Sequence, residues 1–446
     1  MAGARIASAN ITTANVMLWG ARVGAVSWKG SENYALFEYD PGFLASGIEI
    51  APLTMPLRSG IFSFPRLNRD TYKGLPGLLA DSLPDKFGNA VIDAWLTQVG
   101  REKSDFSPVE RLCYVGNRGM GALEFAPAID NRKNTPQHIE LQRMVRLASE
   151  ILATRGSFKV RLDNEDDANN ANAVQDILDI GVSAGGARAK AVIAIHESSG
   201  DIVSGQVKAP QDYTYWIIKF DGVSANKDKE LEDPLGFSLI EYAYHLMAKD
   251  AGIEMSECRL LHENGRHHFI TKRFDRTDTG SKIHMQSLCG MHHLDFNQAG
   301  THSYEQALDV LRKIGAPKKD IEQQFLRMVF NVVARNQDDH TKNIAFLMDK
   351  SGAWRLSPAF DISYSYNPNG PWTRAHQMSI NGKNDGFVME DFFAVAKFAN
   401  IKQAKAKQII NQVLVTVSQW PNYAAQAGVF GEHIDPILKS LRLKFA

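Results

Sequence analysis

Cysteine is scarce in this chain: Cys113, Cys258 and Cys289 are the three in 446 residues. Odd in number and widely spaced, they build neither a disulfide framework nor a zinc knuckle, and they suit a reducing compartment. The histidine pairs His267–His268 and His292–His293 are adjacent and lack the i, i+4 spacing of a helical zinc pair. No uninterrupted apolar run reaches the length of a membrane span, and the N-terminal stretch lacks the continuous apolar core of a signal peptide. Net charge is missing too. Fifty Lys plus Arg balance fifty Asp plus Glu, so no global field draws the chain to nucleic acid, and a DNA role would need a local patch or a partner. These absences lead to the expectation of a cytoplasmic protein without a membrane segment.

What is present reads as a soluble globular protein, 44% hydrophobic and 22% charged, long enough for two or three domains. Residues 14–28 predict a hairpin turning near Gly20, and 34–40 alternate like another strand. Helical spacing over 75–98 puts Leu78, Leu79, Leu83, Phe87, Val91, Ile92 and Trp95 on one face. Residues 137–155 predict an amphipathic helix, and the acidic, Asn-rich stretch 162–176 after it is the best candidate for a boundary or a mobile connection. Strand-like 190–195 and 215–220, a helix across 238–253 and strand-like 267–275 come next. Beyond about residue 300 the pattern is mainly helical, apart from strand-like "NIAFLMD" and a Gly/Pro/Asn-rich stretch from 366 to 386. No internal repeat is visible.

Four features stand in one order along this chain. In "GVSAGGARAK" (181–190), Gly185 and Gly186 would let backbone N–H groups approach a phosphate, and Arg188 and Lys190 add positive charge; a plain turn is the bland alternative. Lys219 lies between Ile218 and Phe220 on an apolar strand. It needs either an anionic partner, for which Glu241 on the following helix is a candidate, or an edge position from which it reaches solvent. Asp338 and Asn343 in "NQDDHTKN" are five positions apart, the separation of the base and the metal-binding Asn in a protein-kinase catalytic loop. A solvent-exposed charged turn is the alternative there. Asp361 in "LSPAFDIS" follows as a second acid suited to a metal ion. Together the four point to phosphoryl transfer.

Those segments, with "YWIIKF" (215–220), "FITKRFDR" (269–276), "HMQSLCG" (284–290), "FEYDPGFL" and "LADSLPD", resemble the HipA family of serine/threonine kinase toxins, the partners of HipB-type antitoxin repressors. The resemblance implies an α+β, bilobal, protein-kinase-like fold with a small β-containing N-lobe, a larger helical C-lobe and an added N-terminal subdomain. It places that subdomain at 1–135, the N-lobe at 136–275 and the C-lobe at 276–446. It implies ATP and Mg²⁺ as cofactors, with Asp338 as catalytic base and Asn343 and Asp361 as metal ligands. It further implies ATP contacts from Ser183, Gly185, Gly186, Ala187, Arg188, Lys190, Lys219, Gln286 and His340, a hinge at Lys272 to Phe274, and autophosphorylation of Ser183.

Arg188 stands where the best-known members have glutamine, and Lys272 where they have glutamate. Asp339 replaces the commonest glycine, and of the two adjacent acids the spacing to Asn343 selects Asp338. Implied partners are a HipB-like helix-turn-helix antitoxin, DNA only through that antitoxin, and a protein substrate, with aminoacyl-tRNA synthetases among the family's targets. A small-molecule kinase, or a catalytically weak module that docks a repressor, are the other readings the residues leave open.

Overall fold

A computed structural model describes residues 10–84, 86–98, 100–129, 139, 141–153, 189–223 and 235–445. The chain divides into two compact units, one of Met1–Ile48, Leu57–Leu235 and Leu261–His284, the other of Glu49–Pro56, Gly236–Leu260 and Met285–Ala446.

Two five-stranded sheets are built from the first unit, apart from the opening residues of one edge strand. In one, β1 (Thr13–Leu18), β2 (Ala21–Lys29), β3 (Tyr34–Tyr39), β4 (Ile61–Ser63) and β5 (Leu123–Ala126) are arranged β4-β3-β2-β1-β5, every pair antiparallel. Alternation builds it: Ala14, Val16 and Leu18 on β1 and Ala35, Phe37 and Tyr39 on β3 point inward, with exposed or half-buried residues between them. The β1–β2 turn is where the sequence puts it. Trp19 and Gly20 both have positive φ, 50° and 85°, as a two-residue hairpin loop compatible with strand twist requires. The helix Pro108–Val115 packs on this sheet, started by a capping box in which Ser107 Oγ accepts from the Glu110 N–H and Glu110 Oε2 accepts from the Ser107 N–H. The single helix expected over 75–98 is two, Gly77–Ala80 and Lys86–Gln98. Pro84, which has no N–H to donate, lies in the break.

The second sheet joins β6 (Lys190–His196), β7 (Ile202–Ser204), β8 (Tyr213–Lys219), β9 (Cys258–Glu263) and β10 (Arg266–Lys272) in the order β7-β6-β8-β10-β9. β7 and β9 escaped the sequence reading. A buried ionic knot beside β5 involves Asp275, which accepts from the Gly121 N–H at 2.7 Å and pairs with Arg273 at 2.7 Å and Arg276 at 2.8 Å. Burial alone would raise the Asp275 carboxyl, but the two guanidiniums hold it well below the usual carboxylate range.

The second unit is mainly helical. Its core runs along the helix Lys318–Val333, where Phe325, Met328, Val329, Phe330, Val332 and Val333 are fully buried. The helix Phe237–Asp250 packs on Trp420–Ala427, with the Tyr244 and Trp420 rings 5.3 Å apart. β11 (His284–Ser287), β13 (Ala345–Met348) and β14 (Trp354–Leu356) form a three-stranded sheet, and β12 (His302–Ser303) pairs in parallel with β15 (Met378–Ser379). Asp320, in the first turn of Lys318–Val333, accepts from the Leu356 N–H at 2.8 Å and pairs with Arg355, pinning β14 to that helix. Among the described residues, no helix is long and apolar enough to cross a membrane.

Candidate active site

The polar segment inside greasy sequence begins where the Lys318–Val333 helix stops. The Ala334 carbonyl, which no later helical N–H claims, accepts from the Tyr244 phenol at 2.6 Å. Arg335 then turns the chain with φ 58°, its Nε donating to the Ser440 carbonyl at 2.7 Å and its guanidinium lying 4.2 Å from the centre of the Tyr366 ring. Asn336 and Gln337 are buried rather than exposed as in an ordinary turn, and Ser365 explains how. Its Oγ accepts from the N–H groups of Gln337 and Asp338, at 2.7 and 2.9 Å, and its O–H donates to Asn336 Oδ1 at 3.2 Å. The segment leaves through a short 3₁₀ turn, Thr341–Asn343, anchored by Thr341 Oγ1 on the Leu294 carbonyl, and enters β13.

The two adjacent acids have opposite environments. The Asp339 side chain is 1% exposed and that of Asp338 is 42% exposed. Asp339 Oδ2 accepts from Tyr304 at 2.7 Å and from His376 Nδ1 at 2.8 Å, while its Oδ1 accepts from the Gln377 N–H at 2.8 Å. Burial pushes its carboxyl up, but His376, Tyr304 and the Gln377 amide outweigh that and hold it below its ordinary value. Arg442, a donor only, faces His376 Nε2 at 2.8 Å, an arrangement that turns the Nδ1 proton toward Asp339. With three donors on its two buried oxygens, Asp339 is a structural anchor. Asp338, bonded to the Trp372 Nε1–H at 2.9 Å and otherwise open, is the carboxylate able to meet a substrate.

Asn343 and Asp361 line one small cavity, together with Arg327, Asn331, Asn336 and Asp339. The Asn343 side-chain NH₂ donates to the Asp338 carbonyl at 2.8 Å, which leaves the amide oxygen as the atom that could meet a cation. Asp361 has φ 53°, a left-handed conformation uncommon outside glycine and most tolerable for Asp and Asn. An amide oxygen and a carboxylate on one cavity are the oxygen donors a hard cation such as Mg²⁺ takes. Burial lowers the Arg327 guanidinium to about 10, and its NH2 donates to the Ser357 carbonyl at 2.7 Å.

The family model described as the HipA-like C-terminal domain matches residues 182–420, and the one described as the HipA N-terminal domain matches residues 14–126. The chain belongs to the HipA family. A putative kinase of Sinorhizobium fredii (strain NBRC 101917 / NGR234), Y4mE, is 26% identical over 130 residues, which are 26% of this chain and 30% of that protein. The match thus spans less than a third of that relative's length. HipA of Shewanella oneidensis MR-1, solved with HipB and its operator DNA, superposes with a TM-score of 0.62 over 96% of this chain and 94% of that one, at 14% identity. The fold is α+β and kinase-like.

In this HipA-family chain the remaining expected residues fall as follows. Ser183, Gly185, Gly186, Ala187 and Arg188 lie outside the described residues, as does the acidic stretch 162–176. Lys190, Lys219, Lys272 and Phe274 belong to the first unit; Gln286, Asp338, His340, Asn343 and Asp361 belong to the second. The edge-strand alternative for Lys219 is overturned: β8 is the middle strand of five, and Lys219 is buried. Lys219 also stands directly opposite Lys190 in the β6–β8 register. Like charges facing each other across strands favour a nearby anion. Lys272 turns its side chain to Asp278 at 2.8 Å, and the Arg273 N–H at the expected hinge is committed to the Tyr215 carbonyl. Gln286 is buried with neither amide atom hydrogen-bonded among the described residues, a recognition group of the kind a ligand satisfies. His340 Nε2 lies 3.8 Å from Asp338 Oδ1. Sequence reasoning missed Trp372, Ser365, Tyr304, His376 and Arg442. The one available signal was a serine four residues after Asp361.

Proposed function

We propose that this chain is an ATP- and Mg²⁺-dependent kinase that phosphorylates a serine or threonine hydroxyl of a protein. The observation that carries the reading is the contrast within one dipeptide. Asp339 is consumed by the fold, while Asp338 stays open and its backbone carbonyl holds Asn343, which shares a cavity with Asp361.

In this reading Asp338 orients the acceptor hydroxyl and takes its proton. The acceptor oxygen forms its bond to the γ-phosphorus as the bond to the bridging oxygen breaks and ADP leaves. Asn343 and Asp361 would hold Mg²⁺, which when bound neutralises phosphate charge. Lys219 and Lys190 are proposed to contact ATP phosphates, and Gln286 and His340 to contact the nucleotide. Ser183 is proposed as the site of autophosphorylation, a change that would add nearly two negative charges to a phosphate-binding loop and so disfavour nucleotide. A HipB-like helix-turn-helix protein is the proposed partner, through which any DNA contact would be made; the Shewanella HipA was solved with HipB and its operator DNA.

The test is incubation of the wild type and Asp338→Asn with labelled ATP, Mg²⁺ and a bacterial lysate. Labelled polypeptide with the wild type alone is expected. Label in small metabolites without labelled protein would move the acceptor to a small molecule, and equal labelling by Asp338→Asn would remove Asp338 from the chemistry.

A further inference from the structure

Trp372 stands 34 residues beyond Asp338, in a Gly/Pro/Asn-rich stretch that none of the sequence motifs covers. Its indole N–H, a donor with no acceptor capacity, reaches Asp338 Oδ1 at 2.9 Å. The stretch that carries it is fastened to the 337–339 loop at several points. Gln337 Nε2 donates to the Thr373 carbonyl at 3.4 Å, and Asp339 takes His376 Nδ1 on one oxygen and the Gln377 N–H on the other. The Gln377 side-chain amide in turn donates to the Trp372 carbonyl. The buried acid thus fixes the backbone at 376–377, Gln377 carries that constraint to Trp372, and Trp372 delivers it to the open acid.

The neighbours of Asp338 are one-sided. His340 Nε2, the charged or titratable group the structure records beside this carboxylate, also faces Oδ1, at 3.8 Å. Oδ2 has no hydrogen-bond partner among the described residues. A carboxylate torsion is broad and nearly two-fold, so an unsupported, half-exposed aspartate would sample many orientations.

We propose that Trp372 is a positioning residue: by holding Oδ1 it sets the plane of the Asp338 carboxylate and presents Oδ2 to the acceptor hydroxyl. This rests on the reading of Asp338 as the base. Trp372→Phe keeps the ring and removes the N–H, so it isolates the hydrogen bond. The expected result is a loss in kcat on the order of ten- to a hundredfold, the range over which a small misplacement of a reacting group acts. The KM for ATP and the thermal midpoint are expected to stay at wild-type values. In an Asp338→Asn background, followed by single-turnover transfer of labelled phosphate, the same substitution should cost nothing further, because there is no base left to aim. An unchanged kcat in an active protein overturns the proposal. An equal fold-loss in both backgrounds also overturns it, since that is what a purely structural tryptophan would give. A wild type with no phosphotransfer at all brings down the kinase reading, and this inference with it.

Discussion

The Tyr304 phenol donates to Asp339 Oδ2 at 2.7 Å while its own oxygen accepts from Asn331 at 2.9 Å. A fully buried tyrosine thereby ties the helix Tyr304–Lys313 and the helix Lys318–Val333 to the anchor of the site loop. Removing the hydroxyl leaves a buried carboxylate oxygen and a half-buried amide short of a partner. Tyr304→Phe is expected to lower stability by about 1–3 kcal/mol, read as a shift in the urea midpoint at constant m-value.

Asp339 and Asp338 are expected to fail differently. Because the folded Asp339 carboxyl is held below its ordinary value, its stabilising contribution is fully present above about pH 4 and is lost as pH falls through the lower folded value. Asp339→Asn should therefore melt earlier at pH 7, and the gap to the wild type should close in strong acid. Asp338→Asn should melt with the wild type and lose about two to four orders of magnitude in phosphotransfer. A reversal of these phenotypes would assign the chemistry to the wrong acid.

Asp361→Asn keeps a residue that tolerates the left-handed backbone but halves the anionic character of the cavity. Nucleotide-dependent Mg²⁺ affinity, followed by titration calorimetry, should weaken with little change in the melt. Unaltered Mg²⁺ binding would separate Asp361 from the metal.

Two buried histidines give an acid dependence unrelated to the site. Burial lowers His245 and His268 to about 4, and the Asp221 N–H donates to His268 Nδ1, which fixes a neutral ring. An unfolded histidine binds its proton near pH 6.5, so each of these contributes stability present above that value and lost as pH falls toward 4. The thermal midpoint is expected to fall between pH 7 and pH 4.5, and His268→Gln should flatten part of that slope. A flat profile in the wild type would contradict the neutral assignment.

In the first unit, Asp275→Asn would leave the Arg273 and Arg276 guanidiniums buried without their shared carboxylate. A loss of about 3–5 kcal/mol in equilibrium unfolding is expected. Less than 1 kcal/mol would mean that water reaches the knot.

The sequence made local order legible. The β-rich segments around Gly20 located the β1–β2 hairpin, period-two alternation located β3, and the five-residue spacing singled out Asp338 and Asn343, which the structure places in one loop. What depended on partners far away was hidden. Nothing near Asp339 in sequence reveals that Tyr304 and His376 will satisfy it, and nothing near Lys219 tells a central strand from an edge, because sheet order is set by strands elsewhere. Trp372 was invisible for the same reason: a tryptophan in a polar, turn-rich stretch has no periodicity to betray its role. Pro84 was visible, and its capacity to split a helix was underweighted against seven well-spaced apolar residues.

Arg442 donates to His376 Nε2 at 2.8 Å, its backbone N–H reaches the Val333 carbonyl at 3.0 Å, and its guanidinium also pairs with Asp385. The two side-chain bonds join residues 66 and 57 positions apart, and the backbone bond reaches back farther still. During synthesis, a nascent chain that has emerged through Asp338, Asn343 and Asp361 still lacks the group that turns the His376 Nδ1 proton toward Asp339, and so lacks the full anchoring of Asp339. Competence for the proposed chemistry would therefore wait until Arg442 has left the ribosome, and a translation product truncated before Arg442 would be born without it.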